Sequence, residues 1–277
     1  MPYSLPHPLL EVPLQYDFKS QANTFVNGQR STQKTHLQLR STLTYLNARQ
    51  QYFYCVEQLR CHYESGPRVA VLAELAQSLN RRLCVVTDES GYLSELDGQA
   101  ALYQQWRYGH EREAFLKKHR ANPHTGRFMA DFEQGLQNPV LVEQMRHKGH
   151  PGVLFPGVLG VAHAHSVRKR LTDYLGPGLD LPLLVEVAVV VRPDGCRQVE
   201  TNGRLDEAAF DGPRFRRLIR QMVDAPNYPV ELEVGYRERY VVEPATGRVL
   251  SGGQHLRAMV QGVYLSEVIH ELTLSAC

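Results

Sequence analysis

The sequence is poor in most of the features that announce a function. The formal net charge is only +2 over 277 residues. A protein built to neutralise phosphates needs a concentrated basic face, so near-balance argues against nucleic acid as the partner. Five cysteines (Cys55, Cys61, Cys84, Cys196, Cys277) are scattered without a Cys-x-x-Cys pair. That pattern excludes a thiolate zinc knuckle and fits a reducing compartment. No apolar run approaches the roughly 20 residues of a spanning helix. The longest, Leu181 to Val191, is interrupted by Pro182 and Glu186. The start, Met-Pro-Tyr-Ser-Leu-Pro-His-Pro, has neither the basic nor the apolar region of an export signal, so a cytoplasmic location and no membrane span are expected.

Catalytic signatures are missing as well. There is no Walker phosphate loop and no Gly-x-Ser-x-Gly elbow, and Gly176-Pro177-Gly178 lacks the third glycine of a dinucleotide fingerprint. His110-Glu111 opens like a zinc-protease helix, but Ala114 stands where the second imidazole must be. Cys61 and His62 are adjacent on a strand and point to opposite faces, so they cannot act as a nucleophile and its base. No cofactor is expected.

What is present is alternation. Val12, Leu14, Tyr16 and Phe18 share one face of a strand, and Leu37, Leu39, Ser41, Leu43 and Tyr45 share one face of another. Asn27-Gly28 between them is a hairpin signal. Residues 52–63 form a third strand with aromatics on both faces. Val69, Leu72, Ala73, Ala76 and Leu79 are spaced as a short helix, followed by strands at 83–87 and 92–96 around Asp88-Glu89-Ser90-Gly91. Val85 to Gly91 loosely echoes Val241 to Gly247.

The pattern then turns helical. Leu102 and Trp106, then Phe128, Phe132 and Leu136, make apolar stripes. Asn138-Pro139 starts a further helix and Lys148-Gly149 ends it. Val167, Leu171 and Tyr174 suggest one more, ended by Gly176-Pro177. After residue 180 strands return: Val185 to Val191, Val230 to Val242, and Leu256 to Leu274, where one parity lasts about twenty residues. Either a bend near Gly262 splits that last run or it is one long curved strand. Between them, Asp211-Gly212-Pro213 opens an amphipathic helix with Phe215, Leu218, Ile219, Met222 and Val223 on one face.

The expected fold is therefore α+β: a long curved antiparallel sheet, half-barrel-like, packed on a helical middle. It reads as a single domain over 1–277, with an N-terminal β region at 1–97, a helical middle at 98–180 and a C-terminal β region at 181–277.

Four groups of residues are candidates for function. The segment Gly152 to Leu159 is apolar and bracketed by Pro and Gly, and Val153, Leu154, Phe155, Val158 and Leu159, with Trp106, mark either a tucked core segment or a surface for a ligand or partner. Arg214, Arg216, Arg217 and Arg220 line the polar face of the amphipathic helix, as a solvated surface or a contact for an acidic protein. Arg168-Lys169-Arg170 is a second basic run. His147, His150, His163 and His165 are the one cluster with metal-ligand character, because i, i+2 histidines on a strand point the same way.

Two fragments carry a resemblance. Leu83-Cys-Val-Val-Thr-Asp-Glu-Ser-Gly-Tyr-Leu-Ser-Glu-Leu96 followed by Trp106, and Asn138-Pro-Val-Leu-Val-Glu-Gln-Met145 leading to Leu154-Phe-Pro-Gly157, resemble bacterial proteins, mostly of the Bacteroidota, without an established activity. The strand–helix–strand layout is similar to the half-barrel of the lipoprotein carriers, which implies a curved sheet over helices and an apolar cavity. The absent export signal departs from those carriers. Three readings of function follow. The first is a non-catalytic interaction module, such as an adaptor, chaperone or immunity-like partner in a larger bacterial system, with another protein as its partner. The second is an intracellular carrier or sensor of an apolar small molecule or lipid. The third is a metal-dependent enzyme using the four histidines.

Overall fold

In the computed structural model, residues 10–46, 51–64, 81–123, 125–147, 149–159, 161 and 163–275 are described. The expected helix over Val69 to Leu79 lies outside them. Alternating side chains organise five strands in the first part of the chain: β1 (Leu14–Val26), β2 (Gln29–Leu46), β3 (Tyr52–Glu64), β4 (Arg82–Thr87) and β5 (Leu93–Leu96). Six follow later: β6 (His165–Gly176), β7 (Leu179–Val191), β8 (Arg197–Leu205), β9 (Glu233–Glu243), β10 (Arg248–Val260) and β11 (Tyr264–Leu274). Asn27 and Gly28 both take positive φ, 44° and 83°, and make the tight turn of the first hairpin. The long C-terminal run is split at residues 261–263 into β10 and β11.

All eleven strands lie in one antiparallel sheet, in the order β5-β4-β3-β2-β1-β11-β10-β9-β8-β7-β6. The chain starts near the middle and meanders to one edge. It then crosses to the other edge and meanders back until β11 pairs with β1. The crossover contains α1 (Gln99–Tyr108), α2 (His110–Lys118), α3 (Thr125–Gln137), α4 (Leu141–Met145) and α5 (His150–Leu154). A sixth helix, α6 (Gly212–Met222), joins β8 to β9.

This corrects the expected fold class. Strand makes up 52% of the structure and helix 22%, and among the described residues the helices are few and peripheral instead of forming a layer under the sheet. Helices α1 to α3 form a small side cluster with its own core of Trp106, Phe115, Met129 and Leu136. Residues 165–176, expected as helix, are the edge strand β6. Val167 and Leu171 fit a helical stripe, but they also share strand parity, and pairing with β7 decides the matter. The parity breaks only at Asp173, where φ is 54°. Its side chain accepts the Gly178 N–H, and its own N–H donates to the Asp180 carboxylate at 2.9 Å.

The sheet is strongly curled. Ten inter-strand gaps would place the edges of a flat sheet roughly 48 Å apart. Yet α4, five residues and about 7.5 Å long, is tied to both edges. Arg146, just past its end, donates from Nε to the Leu93 carbonyl of β5 at 2.8 Å. Glu143 accepts from the Thr172 hydroxyl of β6 at 2.9 Å, and the Gln144 amide donates to Asp173 at 2.8 Å. Tyr174 of β6 likewise reaches the Ser266 carbonyl of β11. The segment from α4 to residue 161 is a strap across the concave face.

The main core fills the space under this strap. Val153, Leu154, Phe155 and Val158 pack with Phe18, Leu37, Leu39, Val85, Leu183, Tyr240 and Leu256. Leu159 wedges between the two turns whose sequences echo each other, with side-chain carbons against both Gly91 and Gly247. At one end of the sheet, Phe215 and Ile219 of α6 are buried, and Phe215 meets the Tyr264 ring at 6.1 Å. Asp211 caps this helix by accepting the Arg214 N–H at 3.0 Å.

One glycine lets the strap seat. A Cβ on Gly252 of β10 would lie 2.8 and 2.9 Å from ring carbons of Tyr240 and 3.1 Å from Val153 of α5. Gly252→Ala should destabilise the fold by about 1–3 kcal/mol through overpacking. Urea denaturation checks this, with Gly253→Ala as the control because its nearest neighbour would stand at 3.6 Å.

Candidate ligand-binding site

Between the curled sheet and its strap lies an open cavity of about 680 Å³. One wall is the concave face of β6 to β9, with Val167, Leu171, Val185, Val187, Thr201 and Glu238. The other is the strap, with Val140, Glu143, Arg146, His147, Pro156, Val158 and Val161. Val167, 45% exposed on the edge strand, stands at the rim. A depression of about 370 Å³ elsewhere on the sheet, around Lys19, Lys34, His36, His62 and Glu64, is bounded by exposed strand side chains.

The cavity floor is polar because of the strand register. Thr201 pairs with Glu238, Glu238 with Gln254, Gln254 with His270, His270 with Ser20, and Ser20 with Thr35. Six neighbouring strands thus contribute one polar belt across the concave face. Apolar rows flank it: Tyr240, Leu272, Phe18 and Leu37 on one side, and Tyr236, Leu256 and Val268 on the other.

At the cavity end of the belt sits a buried ion pair. The Lys169 ammonium donates to Glu238 Oε1 at 3.1 Å and to the Tyr236 hydroxyl. The Gln254 amide donates to the same carboxylate oxygen at 2.9 Å. The Glu238 side chain is 7% exposed and that of Lys169 20%. Burial, and then the Glu238 charge, push the Tyr236 and Tyr240 phenols well above their ordinary range, so both remain neutral. Across the cavity, Arg146 stacks 4.5 Å from the Tyr92 ring centroid while its Nε holds Leu93.

Further along the belt, His270 accepts the Gly149 N–H through Nε2 at 3.2 Å, so the ring proton is on Nδ1. The Phe18 ring lies 5.4 Å from the His270 ring and 5.9 Å from that of His150. Burial, together with the His270 charge, pulls His150 down to about 4, and burial pulls His270 down to about 4. Two neutral imidazoles therefore seat the start of α5 on the middle of the sheet.

The sequence-derived candidates are placed differently from expectation. The four histidines do not form a metal centre. His147 and His150 are buried, whereas His163 and His165 are exposed, with His165 Nδ1 against the His163 carbonyl at 3.1 Å. Among the described residues no three His, Cys, Asp or Glu side chains group as metal ligands. Val153, Leu154, Phe155 and Val158 are buried in the core, and Trp106 is buried in the separate helical cluster. Of the four arginines on α6, Arg214 donates to the Gly178 and Pro177 carbonyls and Arg220 to the Tyr228 carbonyl. Arg216 and Arg217 are exposed.

Lys169, Glu238, Gln254 and His270 were not among the candidates read from sequence, beyond Lys169 as part of a basic run. Their signal was present. Glu238 stands between Tyr236 and Tyr240, Gln254 two before Leu256, and His270 between Val268 and Leu272, each at an apolar-parity position of its strand. No protein-family model matches the chain, and a search of curated proteins finds no similar sequence. Among the described residues, no helix is long and apolar enough to cross a membrane.

Two predictions follow from this geometry. Lys169→Met strands a buried carboxylate and should lower stability by about 2–4 kcal/mol, somewhat under the range for a fully buried pair because Lys169 is partly exposed. Adding Glu238→Gln should restore most of that loss, and a double-mutant cycle in denaturant unfolding measures it.

The histidines set a pH window. Both folded-state pKa values, about 4, lie below the ordinary 6.5, so the unfolded chain binds more protons between these values. Stability should be insensitive to this pair above pH 6.5 and fall as pH drops towards 4. His270→Gln retains an acceptor for Gly149 without titrating. It should flatten the stability–pH slope across that window by up to about 1.4 kcal/mol per pH unit.

Proposed function

We propose that this protein is a non-catalytic binding protein for an amphipathic small molecule, held between the strap and β6 to β9. The observation that carries this reading is the open cleft of about 680 Å³ in which valines of the strap and of β6 and β7 stand beside the Lys169–Glu238 pair. Its volume falls within the roughly 300–1,000 Å³ of small-molecule sites. Val158, Val161, Val167, Val185 and Val187 offer contact to a hydrocarbon portion. The ion pair, Thr201 and Arg146 offer hydrogen bonds to a polar head.

This favours a carrier or sensor over an adaptor. The adaptor reading rested on the missing catalytic motifs, on possible edge strands and on the apolar segment Gly152 to Leu159, and most of that segment is buried under the fold's own sheet. The metal-enzyme reading leaned on four histidines that the fold separates.

Titration with a dansyl-labelled alkyl carboxylate, and with its alcohol and ammonium counterparts, tests the proposal. At least one should show saturable 1:1 fluorescence enhancement. Val187→Trp, which fills the cavity from its wall, should weaken that binding at least tenfold, with circular dichroism confirming that the variant is folded. Binding of equal strength in Val187→Trp, or none by any probe, refutes the assignment.

A further inference from the structure

The Cys55 and Cys84 side chains form a cross-strand dithiol on the sheet face opposite the core residues Val56 and Val85. They are directly opposite one another in the β3–β4 register. Alternation places them away from Val56 and Val85, which point into the main core. The Cys84 thiol shares a hydrogen bond with Cys55, and both sulfurs are free. Directly opposed residues in an antiparallel pair have Cα atoms about 4.5–5.5 Å apart, inside the roughly 4.4–6.8 Å that a disulfide spans. A bond between them therefore needs side-chain rotation and no change of register.

A third group is aimed at the pair. Arg82, exposed on β4, donates from Nε to Cys55 Sγ at 3.1 Å. The contact places a guanidinium beside the inner sulfur of the pair. Burial and the neighbouring Cys55 push the Cys84 thiol up, and the Arg82 charge opposes them. Cys84 is the more accessible sulfur, being half-buried, whereas Cys55 is 7% exposed. Among the described residues the other thiols lack this arrangement. Cys61 lies opposite Leu37, and Cys196 lies in the turn between β7 and β8.

We infer that Cys55 and Cys84 are a reversible redox site that closes to a disulfide by exchange with a small-molecule disulfide such as oxidised glutathione. The Cys84 thiolate attacks one sulfur of the reagent, forming a mixed disulfide and releasing one glutathione thiolate. The Cys55 thiolate, held by Arg82, then attacks the Cys84 sulfur. The Cys55–Cys84 bond forms and the second glutathione thiolate leaves. The two thiol protons pass through water to the two released thiolates, so two protein thiols are oxidised as one glutathione disulfide is reduced. The order follows from access: the more open sulfur meets the reagent, and the buried one resolves the adduct.

The test uses the full chain with Cys61, Cys196 and Cys277 replaced by Ser. The folded protein is incubated with oxidised glutathione, alkylated, and mapped by mass spectrometry. Loss of both alkylatable thiols, a peptide linked through Cys55 and Cys84, and full recovery on reduction are expected. The oxidised form should melt a few degrees higher, because the bond restrains the unfolded chain. Cys55→Ser in the same background should stop at a single glutathione adduct on Cys84. Persistence of two alkylatable thiols, or a stable adduct on Cys84 with Cys55 intact, would overturn the inference. Neither readout depends on the cavity having a ligand.

Discussion

The fold depends on a short tether between the two edges of its sheet. β5 and β6 end opposite meanders, and nothing in the pairing of eleven strands brings them together. The Arg146–Leu93 hydrogen bond on one side, and Glu143–Thr172 with Gln144–Asp173 on the other, hold them through a five-residue helix. Those three contacts fix the curl, and the curl makes the concave face an interior. Without it, Leu181, Leu183, Tyr240 and Leu256 would face water, and each would forfeit about 1.5–3 kcal/mol of burial. The tether is polar and modest in energy, but it determines whether a much larger apolar term is realised.

The same curl explains why buried polar groups are tolerated on the concave face. A polar belt on a flat, open sheet would be solvated and unremarked. Under the strap, Glu238 and His270 must find partners or go neutral, and they do so differently. Glu238 stays paired with Lys169 and Gln254, while His270 and His150 give up their charge. A buried ion pair is a weak device for stability, since apolar residues of similar volume commonly do as well or better. This pair stands on the wall of the cavity with Lys169 still a fifth exposed, where, on the proposed reading, an occupant would meet it.

Much of the sheet was legible in the sequence. Leu14, Tyr16 and Phe18, or Tyr236 and Tyr240, alternate too regularly to be anything but half-buried strands, and Asn27-Gly28 admits few structures other than a tight hairpin. Helix α6 was legible for a similar reason, with an Asp cap, an early Pro and an apolar stripe agreeing. β6 was not, because Val167, Leu171 and Tyr174 satisfy both periods until the left-handed Asp173, and only pairing with β7 separates them. The site was hidden for a different reason. Glu238, Gln254 and His270 each look like an isolated polar lapse in an apolar strand. Strand register puts them side by side, and register between β9, β10, β11 and β1 is a long-range property that local pattern does not carry. The histidines show the converse error, since His147, His150, His163 and His165 are neighbours in sequence and belong to different environments in space.

The strap is also asymmetric, and this places the cavity. Its second half leans on the N-terminal side of the sheet. Phe155 stacks on Tyr54 at 4.9 Å, Pro156 bridges Tyr92, and the Leu159 N–H donates to the Ser90 carbonyl. Those contacts fill the face of β2 to β5 with side chains. The face of β6 to β9 is left under the thinner cover of Val140, His147, Val158 and Val161, and the unfilled volume lies there. The two halves of one sheet therefore have separate duties. The N-terminal half, where Phe155, Pro156 and Leu159 are anchored, is the packed seat of the strap. The C-terminal half ends in the edge strand β6, which meets the strap through Glu143 and Gln144 and the rest of the sheet through its pairing with β7 and the Lys169–Glu238 pair.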